Sequence, residues 1–423
     1  MIKQSFLNVD NVNFSGLMKM SDYNIEIPIK DNRMIVFNSL SGAILKLPSD
    51  AYTTDNDMLI RHKFVVPKSV NEIDLYKYRY LAAIYATLSW HITIAPTMRC
   101  NFNCPYCFEG NNKGGRIMNK GVINSVKTFL KSKSDKPIAI TWFGGEPFLG
   151  WKAISDISEF LLSENIKFHA TAITNGSICT DEILKNIDIY KIKRLQITLD
   201  GNQEQHDSKR KFKTGKPSFN LLIENIHKFL SYTNIKISVR VNIDKSNSDS
   251  FPELRKYLHS EFKEFFANGR VLISPNPVKN RTDFSGCSDC LSIDEFYNFE
   301  QKNIPSLKYL PSHRGPCSLR CRSSIGIGSD GLIFKCLEHF GDSSKAIGSI
   351  LNSTIDLQKE AKYAIGVLPF DVEECMSCKL LPVCGGGCAI DLSKCIDKKY
   401  KPSCVINYSL LKKQILNYYS IDE

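Results

Sequence analysis

The fold of this chain is decided at residues 92–107, which read ITIAPTMRCNFNCPYC. The apolar residues 92–96 are typical of a buried strand, and three cysteines follow it, Cys100, Cys104 and Cys107. Thiolates are soft ligands that select iron–sulfur clusters or zinc. A 4Fe-4S cluster held by three cysteines leaves one iron open, so we predict that a ligand from outside the protein completes the site.

Strand-like and helix-like segments alternate from Trp90 to about Asn276. The predicted strands are 91–96, 138–143, 168–173, 195–199, 235–243 and 271–274. The amphipathic runs between them include 122–130, 154–162, 219–230 and 251–266. Regular alternation indicates parallel βαβ units, and six of them predict an α/β fold with a partial (β/α)6 TIM-like barrel. In barrels the chemistry lies where strands end, and the candidate motifs fall there.

The three-cysteine loop resembles the CxxxCxxC motif of the radical S-adenosylmethionine (SAM) superfamily, in which an aromatic residue, here Tyr106, precedes the last cysteine. The resemblance implies that Cys100, Cys104 and Cys107 hold a 4Fe-4S cluster with the amino and carboxylate groups of SAM on the open iron. It also implies reductive cleavage of SAM to methionine and a 5'-deoxyadenosyl radical, which abstracts hydrogen from a substrate carbon.

Other strand ends carry segments that resemble the SAM-binding motifs of this superfamily. A glycine pair lets a ligand approach the main chain closely, a guanidinium suits a carboxylate, and Asp or Thr can hold ribose hydroxyls. The implied SAM contacts are Tyr106, Gly144, Gly145, Glu146, Asn175, Thr198, Asp200 and Arg210.

Structural alternatives exist for several of these motifs. Gly-Gly and Asn-Gly pairs also form plain turns. His206 and Asp207 fit a loop brace as well as a SAM contact. Arg240 and Asn242 share one face of a strand, where the arginine could bind a ligand or form a salt bridge at the strand end.

The C-terminal quarter of the chain is dense in cysteine. The spacing Cys321-x9-Gly331-x4-Cys336, followed by the CxxC-x5-C-x3-C run from Cys375 to Cys388, resembles the signature of SPASM domains. The resemblance implies two auxiliary 4Fe-4S clusters in addition to the SAM cluster, three in all. Their implied ligands are Cys317, Cys321, Cys336 and Cys388 for auxiliary cluster I, and Cys375, Cys378, Cys384 and Cys404 for auxiliary cluster II.

Alternatives stay open in this region too. CxxC pairs of thiolates also suit zinc, and without Cys317 auxiliary cluster I would keep an open iron. Cys179 and Cys395 are predicted to be small buried hydrophobic residues. Cys287 and Cys290 form a further CxxC that could be redox active or bridge to a cluster.

The motifs divide the chain into four predicted segments. Residues 1–88 contain no cysteine, and alternating residues 23–30 and 34–37 around a turn predict a hairpin in a small α+β module that resembles leader-peptide-binding domains. Residues 89–276 are the radical SAM partial barrel. Residues 277–314 are a bridging region, and residues 315–423 are the cysteine-rich SPASM domain.

Composition restricts the cellular setting. The 423 residues include 15 cysteines, begin without a secretory signal and contain no apolar run of membrane-spanning length. We therefore expect a cytoplasmic protein whose thiols are free to bind metal. We expect no membrane partner. The net charge of +11 would attract an acidic partner. The densest basic run, residues 209–216, is predicted to be a solvated loop.

The resemblance therefore implies a radical SAM peptide maturase acting on a ribosomally synthesised precursor peptide with a leader. The product could be a thioether, another crosslink or an epimerised residue, and the electron donor would be a flavodoxin or ferredoxin-type protein. The alternatives are an anaerobic sulfatase-maturing enzyme that forms formylglycine and a non-catalytic iron–sulfur or zinc protein. A tRNA-modifying enzyme is a weaker alternative, since nucleic acid is not the expected partner.

Overall fold

The computed structural model describes residues 16–107, 109, 115–278, 289–304, 310–393 and 404–421. The chain divides into two compact units. The terminal unit comprises the described parts of Met1–Ala83, Lys308–Cys317 and Val367–Glu423, and the barrel unit comprises those of Ile84–Leu307 and Ser318–Gly366. These units cut across the four predicted segments, because each contains part of the cysteine-rich C-terminal region.

The strands of the described residues, numbered along the chain, are β1 (Met18–Met20), β2 (Asn24–Ile29), β3 (Arg33–Asn38), β4 (Ile44–Pro48), β5 (Val65–Pro67), β6 (Trp90–Thr97), β7 (Ile138–Gly144), β8 (Phe168–Thr174), β9 (Ile192–Thr198), β10 (Lys236–Ile243), β11 (Val271–Pro277), β12 (Ser324–Ile327), β13 (Leu332–Phe334), β14 (Gly348–Ser349) and β15 (Thr354–Ile355).

The α-helices of the described residues are α1 (Asp57–Arg61), α2 (Glu72–Tyr85), α3 (Lys120–Lys131), α4 (Trp151–Ser163), α5 (Asp181–Asn186), α6 (Gln203–Lys209), α7 (Phe219–Tyr232), α8 (Phe251–Glu261), α9 (Lys263–Ala267), α10 (Ile293–Asn303), α11 (Leu357–Ile365), α12 (Glu373–Met376), α13 (Leu381–Cys384), α14 (Ala389–Ser393) and α15 (Tyr408–Tyr418). No described helix combines the length and the apolar character that crossing a membrane requires.

The barrel unit is built on a parallel sheet in which β6 to β11 lie side by side in chain order. The six predicted strands are thereby confirmed, and the helices between them match the predicted amphipathic runs, except that the run 251–266 is split into α8 and α9 at Phe262. Side chains of both faces are buried, for example the consecutive residues Trp142 and Phe143 in β7. The arrangement is the α/β sheet of a partial barrel.

A second group of strands extends this sheet beyond β6. β12 pairs with β6 in parallel, and β13 folds back on β12 as an antiparallel hairpin. Gly331 lies in the turn of this hairpin with φ +83°, a left-handed conformation that favours glycine. The glycine of the predicted SPASM spacing is therefore a hairpin-turn residue that sets the distance between the cysteines on either side.

The terminal unit contains the antiparallel sheet β2–β3–β4. The hairpin of β2 and β3 confirms the predicted one, and its turn residues Asp31 and Asn32 both have positive φ, a left-handed conformation that Asp and Asn adopt more readily than most residues. One buried core joins this sheet to the C-terminal segment. It consists of Ile25, Ile27, Ile35, Phe37, Leu380, Val383, Leu411, Ile415 and Leu416. The first and last parts of the chain therefore fold as one body.

Candidate functional site

The three-cysteine loop begins where β6 ends, at the carboxyl edge of the parallel sheet. Cys100, Cys104 and Cys107 are half-buried. The Cys100 sulfur accepts hydrogen bonds from the Phe102 amide at 3.4 Å and the Asn175 side-chain amide at 3.8 Å. Burial raises the pKa of Cys100 to about 11, and the charges of Glu146, Cys104 and Cys107 add to this. Such thiols ionise together only when a cation compensates their charge, as a bound metal cluster does.

The main chain of the loop is attached to the glycine pair after β7. The amides of Gly145 and Glu146 donate to the carbonyl oxygens of Thr97 at 3.2 Å and Arg99 at 2.8 Å. A Cβ atom on Gly145 would lie 2.4 Å from the Arg99 oxygen, which is closer than real Cβ atoms approach. Because Gly145 has no side chain, the backbone of the cysteine loop can pack directly against it.

The carboxylate of Glu146 is wholly buried and joins the ends of two strands, β7 and β8. It accepts hydrogen bonds from the Thr174 hydroxyl at 2.8 and 2.9 Å, the Asn175 amide at 2.7 Å and the Phe148 amide at 3.0 Å. Burial raises the pKa of Glu146 to about 6, although these donors oppose the shift. The carboxylate thus fixes β8 relative to β7.

Asn175 links the end of β8 to the cysteine loop. Its side-chain amide donates to the Asn101 oxygen at 2.8 Å, and the Asn101 amide donates to the Ser177 hydroxyl at 2.8 Å. Sequence reasoning did not identify Asn101 or Ser177. The available signal was their position, since both are polar residues in loops that follow adjacent parallel strands.

Half-buried Tyr106 and the buried side chains of Asp200 and Arg210 form a polar group. The Tyr106 hydroxyl donates to Asp200 and accepts from Arg210 Nη1 at 2.8 Å, while the guanidinium lies 3.9 Å from the carboxylate. Burial raises the pKa of Tyr106 and of Asp200, although Arg210 opposes both shifts. Burial disfavours the charged form of Arg210, but Tyr106, Cys104 and Asp200 together raise its pKa.

Two atoms of this group are buried and have no hydrogen-bond partner among the described residues, namely Asp200 Oδ1 and Arg210 Nε. Buried polar atoms are almost always paired in folded proteins. Arg210 Nε therefore lacks an acceptor and Asp200 Oδ1 lacks a donor among the described residues. A polar ligand with both kinds of group would supply them.

His206 and Asp207 brace the loop that carries Arg210. The Asp200 amide donates to His206 Nδ1 at 3.3 Å, so the proton is on Nε2, which donates to the Ser218 hydroxyl at 3.0 Å. That hydroxyl in turn donates to the Arg210 carbonyl oxygen at 2.5 Å. Asp207 accepts from two backbone amides at the start of α7.

The segment after Arg210 pairs directly with the cysteine loop. The Asn103 amide donates to the Lys211 oxygen at 3.0 Å, and the Lys213 amide donates to the Asn101 oxygen at 2.9 Å. The rings of Phe102 and Phe212 meet edge to face with centroids 4.8 Å apart. The solvated basic loop predicted at 209–216 is therefore in part a strap across the cysteine loop.

The remaining predicted residues of the barrel site lie on β9 and β10. Thr198 is buried at the end of β9, opposite Arg240 in the sheet register. Arg240 Nε donates to the Asn242 side chain at 2.9 Å. Burial lowers the pKa of Arg240, although the charges of Asp200 and Tyr106 oppose the shift.

The cysteines of the C-terminal array occur in both units, and each unit is described separately. In the barrel unit Cys321 precedes β12 and Cys336 follows β13, so the hairpin brings the two to its open end. In the terminal unit the Cys378 amide donates to the Cys375 oxygen at 3.2 Å. Burial raises the pKa of Cys378, and the charge of Cys384 adds to the shift.

The other cysteines of the terminal unit are half-buried Cys317 and Cys388 and exposed Cys404. Within the described ranges, no three His, Cys, Asp or Glu side chains converge on one point as ligands of a single metal ion do. A 4Fe-4S cluster spreads its cysteines over different irons, so its ligands need not converge in that way.

The remaining cysteines are structurally diverse. Cys179 packs against the core of the barrel unit, and burial raises its pKa to about 11, as expected of an inert thiol. Cys290 is disulfide-bonded. Cys287 and Cys395 lie outside the described residues.

Comparisons with known proteins identify the barrel. Residues 94–258 match the family profile of the radical SAM superfamily. The radical SAM cyclopropyl synthase TigE of Paramaledivibacter caminithermalis is 21% identical, and the match covers 96% of this chain and 98% of TigE. A cysteine-type anaerobic sulfatase-maturating enzyme of Clostridium novyi is 23% identical over 68% of this chain and 84% of its own length.

Solved structures share the fold. The enzyme anSMEcpe with bound AdoMet and Cp18Cys peptide superposes with a TM-score of 0.54 at 17% identity, covering 78% of this chain and 96% of that one. SuiB of Streptococcus suis bound to its precursor peptide SuiA gives a TM-score of 0.54 at 15% identity, covering 89% of this chain and 97% of SuiB.

Proposed function

We propose that this chain, whose residues 94–258 match the radical SAM superfamily, is an enzyme that modifies a ribosomally synthesised precursor peptide by hydrogen abstraction. One observation carries this proposal. The three-thiol loop is held by the loops after β7, β8 and β9, next to half-buried Tyr106 and the buried side chains of Asp200 and Arg210, and both of these charged side chains have an unpaired polar atom.

The residues present fit the cofactors that the superfamily uses. Cys100, Cys104 and Cys107 would hold a 4Fe-4S cluster, since thiolates are its preferred ligands. A SAM molecule carries a carboxylate that matches the unpaired Nε of Arg210 and hydroxyl groups that match the unpaired Oδ1 of Asp200. When bound, cluster and SAM supply a 5'-deoxyadenosyl radical that abstracts hydrogen from a substrate carbon.

The protein's own part is positioning. Gly144, Gly145 and Asn175 hold the cysteine loop at the edge of the sheet, and Glu146 fixes the strand ends beneath it. Thr198 lies at the end of β9, beside the loop that carries Asp200. Burial of Asp200 and Arg210 excludes water from the charged groups that would orient SAM.

Auxiliary clusters are a further part of the proposal. Cys321 and Cys336 lie at one end of a hairpin, and Cys375, Cys378 and Cys384 follow one another through short turns. We assign Cys317, Cys321, Cys336 and Cys388 to auxiliary cluster I and Cys375, Cys378, Cys384 and Cys404 to auxiliary cluster II. The loaded chain would then carry about 12 iron atoms, four in each of three clusters.

A peptide substrate is favoured by how far the similarity extends. The match to TigE includes nearly the whole chain, and the likeness to SuiB, whose structure holds its precursor peptide, covers 89% of it. The sequence match to the sulfatase-maturating enzyme of Clostridium novyi covers 68% of this chain. We assign the terminal unit to recognition of a leader peptide and expect a flavodoxin or ferredoxin-type protein as electron donor, in a cytoplasmic setting.

The test is anaerobic reconstitution with iron, sulfide, SAM and reductant, using the peptide encoded by a short reading frame beside the gene. We expect 5'-deoxyadenosine and a peptide of altered mass, and Cys104→Ala should abolish both. Zinc in place of iron and sulfide in anaerobically purified protein, or no deoxyadenosine, would refute a radical SAM enzyme. Turnover of a sulfatase peptide but not of the precursor would instead establish formylglycine formation.

A further inference from the structure

Lys335 is a buried cation of the barrel unit. Only 5% of its surface is exposed. Its ammonium group donates to the carbonyl oxygens of Cys321 and Ser324, both at 2.7 Å. No carboxylate lies within ion-pair distance of it in the part of the chain that the structure describes. Two neutral oxygens accept two of its three N–H groups, and no ion pair among the described residues directly neutralises its positive charge.

The position of Lys335 follows from the hairpin of β12 and β13. Gly326 pairs with Phe334, so the chain beyond β13 returns alongside the turn that precedes β12. That turn is closed by a hydrogen bond from the Ser324 amide to the Cys321 oxygen at 3.1 Å. Lys335 therefore ties the turn that carries Cys321 to the segment that carries Cys336.

An uncompensated buried charge is costly, because the protein interior solvates an ion poorly. Proteins bury lysine where an anion accompanies it. Burial lowers the pKa of Lys335, and the charges of Glu360 and then of Cys321 oppose that shift. The thiolate of Cys321 becomes permanently anionic when it ligates metal. A cluster bound through several thiolates carries net negative charge. Such a charge would stabilise the buried ammonium group of Lys335.

We propose that Lys335 is a positioning residue and counter-charge for a cluster held through Cys321 and Cys336. This rests on the proposed function, in which these two cysteines belong to auxiliary cluster I. Reduction adds an electron to the cluster, so a fixed positive charge beside it stabilises the reduced state and raises the reduction potential. The structure supplies that charge without an acidic side chain bonded to it.

The test compares Lys335→Gln, which keeps N–H donors but loses the charge, with Lys335→Met, which loses both. The matched control is Lys362→Gln, at an exposed lysine of the same unit. Each reconstituted variant is analysed for iron and sulfide and titrated with reductant while its electron paramagnetic resonance spectrum is recorded. A Cys336→Ser variant identifies which signal belongs to this cluster.

We expect Lys335→Gln to lower the reduced-to-oxidised ratio of that cluster about tenfold at a fixed potential, which is 59 mV for one electron. Lys335→Met should shift the ratio at least as far, and Lys362→Gln should leave it unchanged. Loss of this cluster's iron from a Gln variant that keeps wild-type thermal unfolding also supports the proposal, because binding then requires the charge.

An unchanged ratio and iron content in Lys335→Gln would overturn the proposal and reduce Lys335 to a hydrogen-bonding role. The wild-type iron count separates this outcome from failure of the proposed function. If the wild-type chain binds only the SAM cluster, the assignment of auxiliary cluster I is wrong. If it binds the auxiliary iron and the Gln variant behaves like the wild type, only the role of Lys335 is wrong.

Discussion

Replacing Ile35 with alanine tests whether the two ends of the chain stabilise one another. Ile35 is fully buried in the core that joins the β2–β3–β4 sheet to the segment containing Leu380 and Val383. Truncation of a buried isoleucine costs about 2–5 kcal/mol. Even about 2 kcal/mol increases the population of locally opened chains about 30-fold, since about 1.4 kcal/mol is a factor of ten.

The readout is a cysteine that lies distant in sequence from the substitution. Cys375 is buried in the terminal unit, so its alkylation in the metal-free chain reports opening of that unit. We expect Ile35→Ala to accelerate labelling of Cys375 about 30-fold or more, measured by mass spectrometry. Ile189→Ala, at a residue 57% exposed in the barrel unit, is the control and should leave the rate unchanged. Equal rates in all three proteins would refute a shared core.

The same core determines what a truncation can show. Deleting residues 1–88 removes Ile25, Ile27, Ile35 and Phe37 from it. Burial of each contributes about 1.5–3 kcal/mol, so the loss is about 6–12 kcal/mol, which is comparable with the whole stability of a domain. The deletion would therefore expose the cysteine segment as well as weaken any leader binding. Point substitutions on exposed residues of the sheet are the sharper test of leader recognition.

Three further predictions concern the barrel site. Gly145→Ala should prevent the cysteine loop from holding iron, because its Cβ would meet the Arg99 oxygen, whereas Gly315→Ala has open space and should retain full iron content; equal iron in both would contradict this. Tyr106→Phe should lower the free energy of unfolding by about 1–3 kcal/mol, measured in urea, since it leaves a buried ion pair without its bridging hydroxyl; no change would show that the bridge contributes nothing. Burial lowers the pKa of His206 below its usual 6.5, so the unfolded chain takes up protons first and stability falls as pH drops below about 6.5. Unfolding of the metal-free chain at pH 7.0 and 5.5 should show a loss of about 1 kcal/mol more than in His206→Gln, and parallel losses would exclude this histidine as the cause.

The strands and the cysteine loop could be predicted because their signals are local. Parallel strands covered on both faces give short, largely apolar runs, such as that of β7. The ligands Cys100, Cys104 and Cys107 lie within eight residues, and their spacing alone indicates the chemistry. A pattern confined to one segment can be interpreted from the sequence without knowledge of the fold.

The pairings between distant segments could not be predicted. The apolar residues of β12 indicate burial but not that the strand adds to β6, because hydrophobicity does not identify a partner. Leu380 and Val383 lie among cysteines without a periodic pattern, so nothing local indicated that they pack on the β2–β3 hairpin. The division into two units depends on such contacts.

Glu146 shows why a motif does not specify the bonds of its residues. The motif placed this carboxylate next to SAM, whereas its oxygens are taken up by one hydroxyl and two backbone amides at the strand ends. Burial raises its pKa from 4.5 to about 6, so the folded chain binds this proton more tightly than the unfolded chain. Stability from this group is therefore gained as pH falls through 6 towards 4.5 and lost as pH rises, the opposite sign to His206.

Glu146→Gln isolates this contribution. The glutamine amide cannot titrate. Its NH2 group must face one of the two backbone N–H groups that donate to the carboxylate in the wild type. The lost hydrogen bond lowers the free energy of unfolding by about 1–3 kcal/mol. Between pH 7.0 and 5.5 the wild-type metal-free chain should gain about 1 kcal/mol of unfolding free energy relative to Glu146→Gln, measured in urea. If the difference between the two proteins is independent of pH, the carboxylate is ionised throughout and the strand ends are held by a full negative charge. In that case the three hydrogen-bond donors to the carboxylate, aided by the charge of Arg210, must outweigh burial.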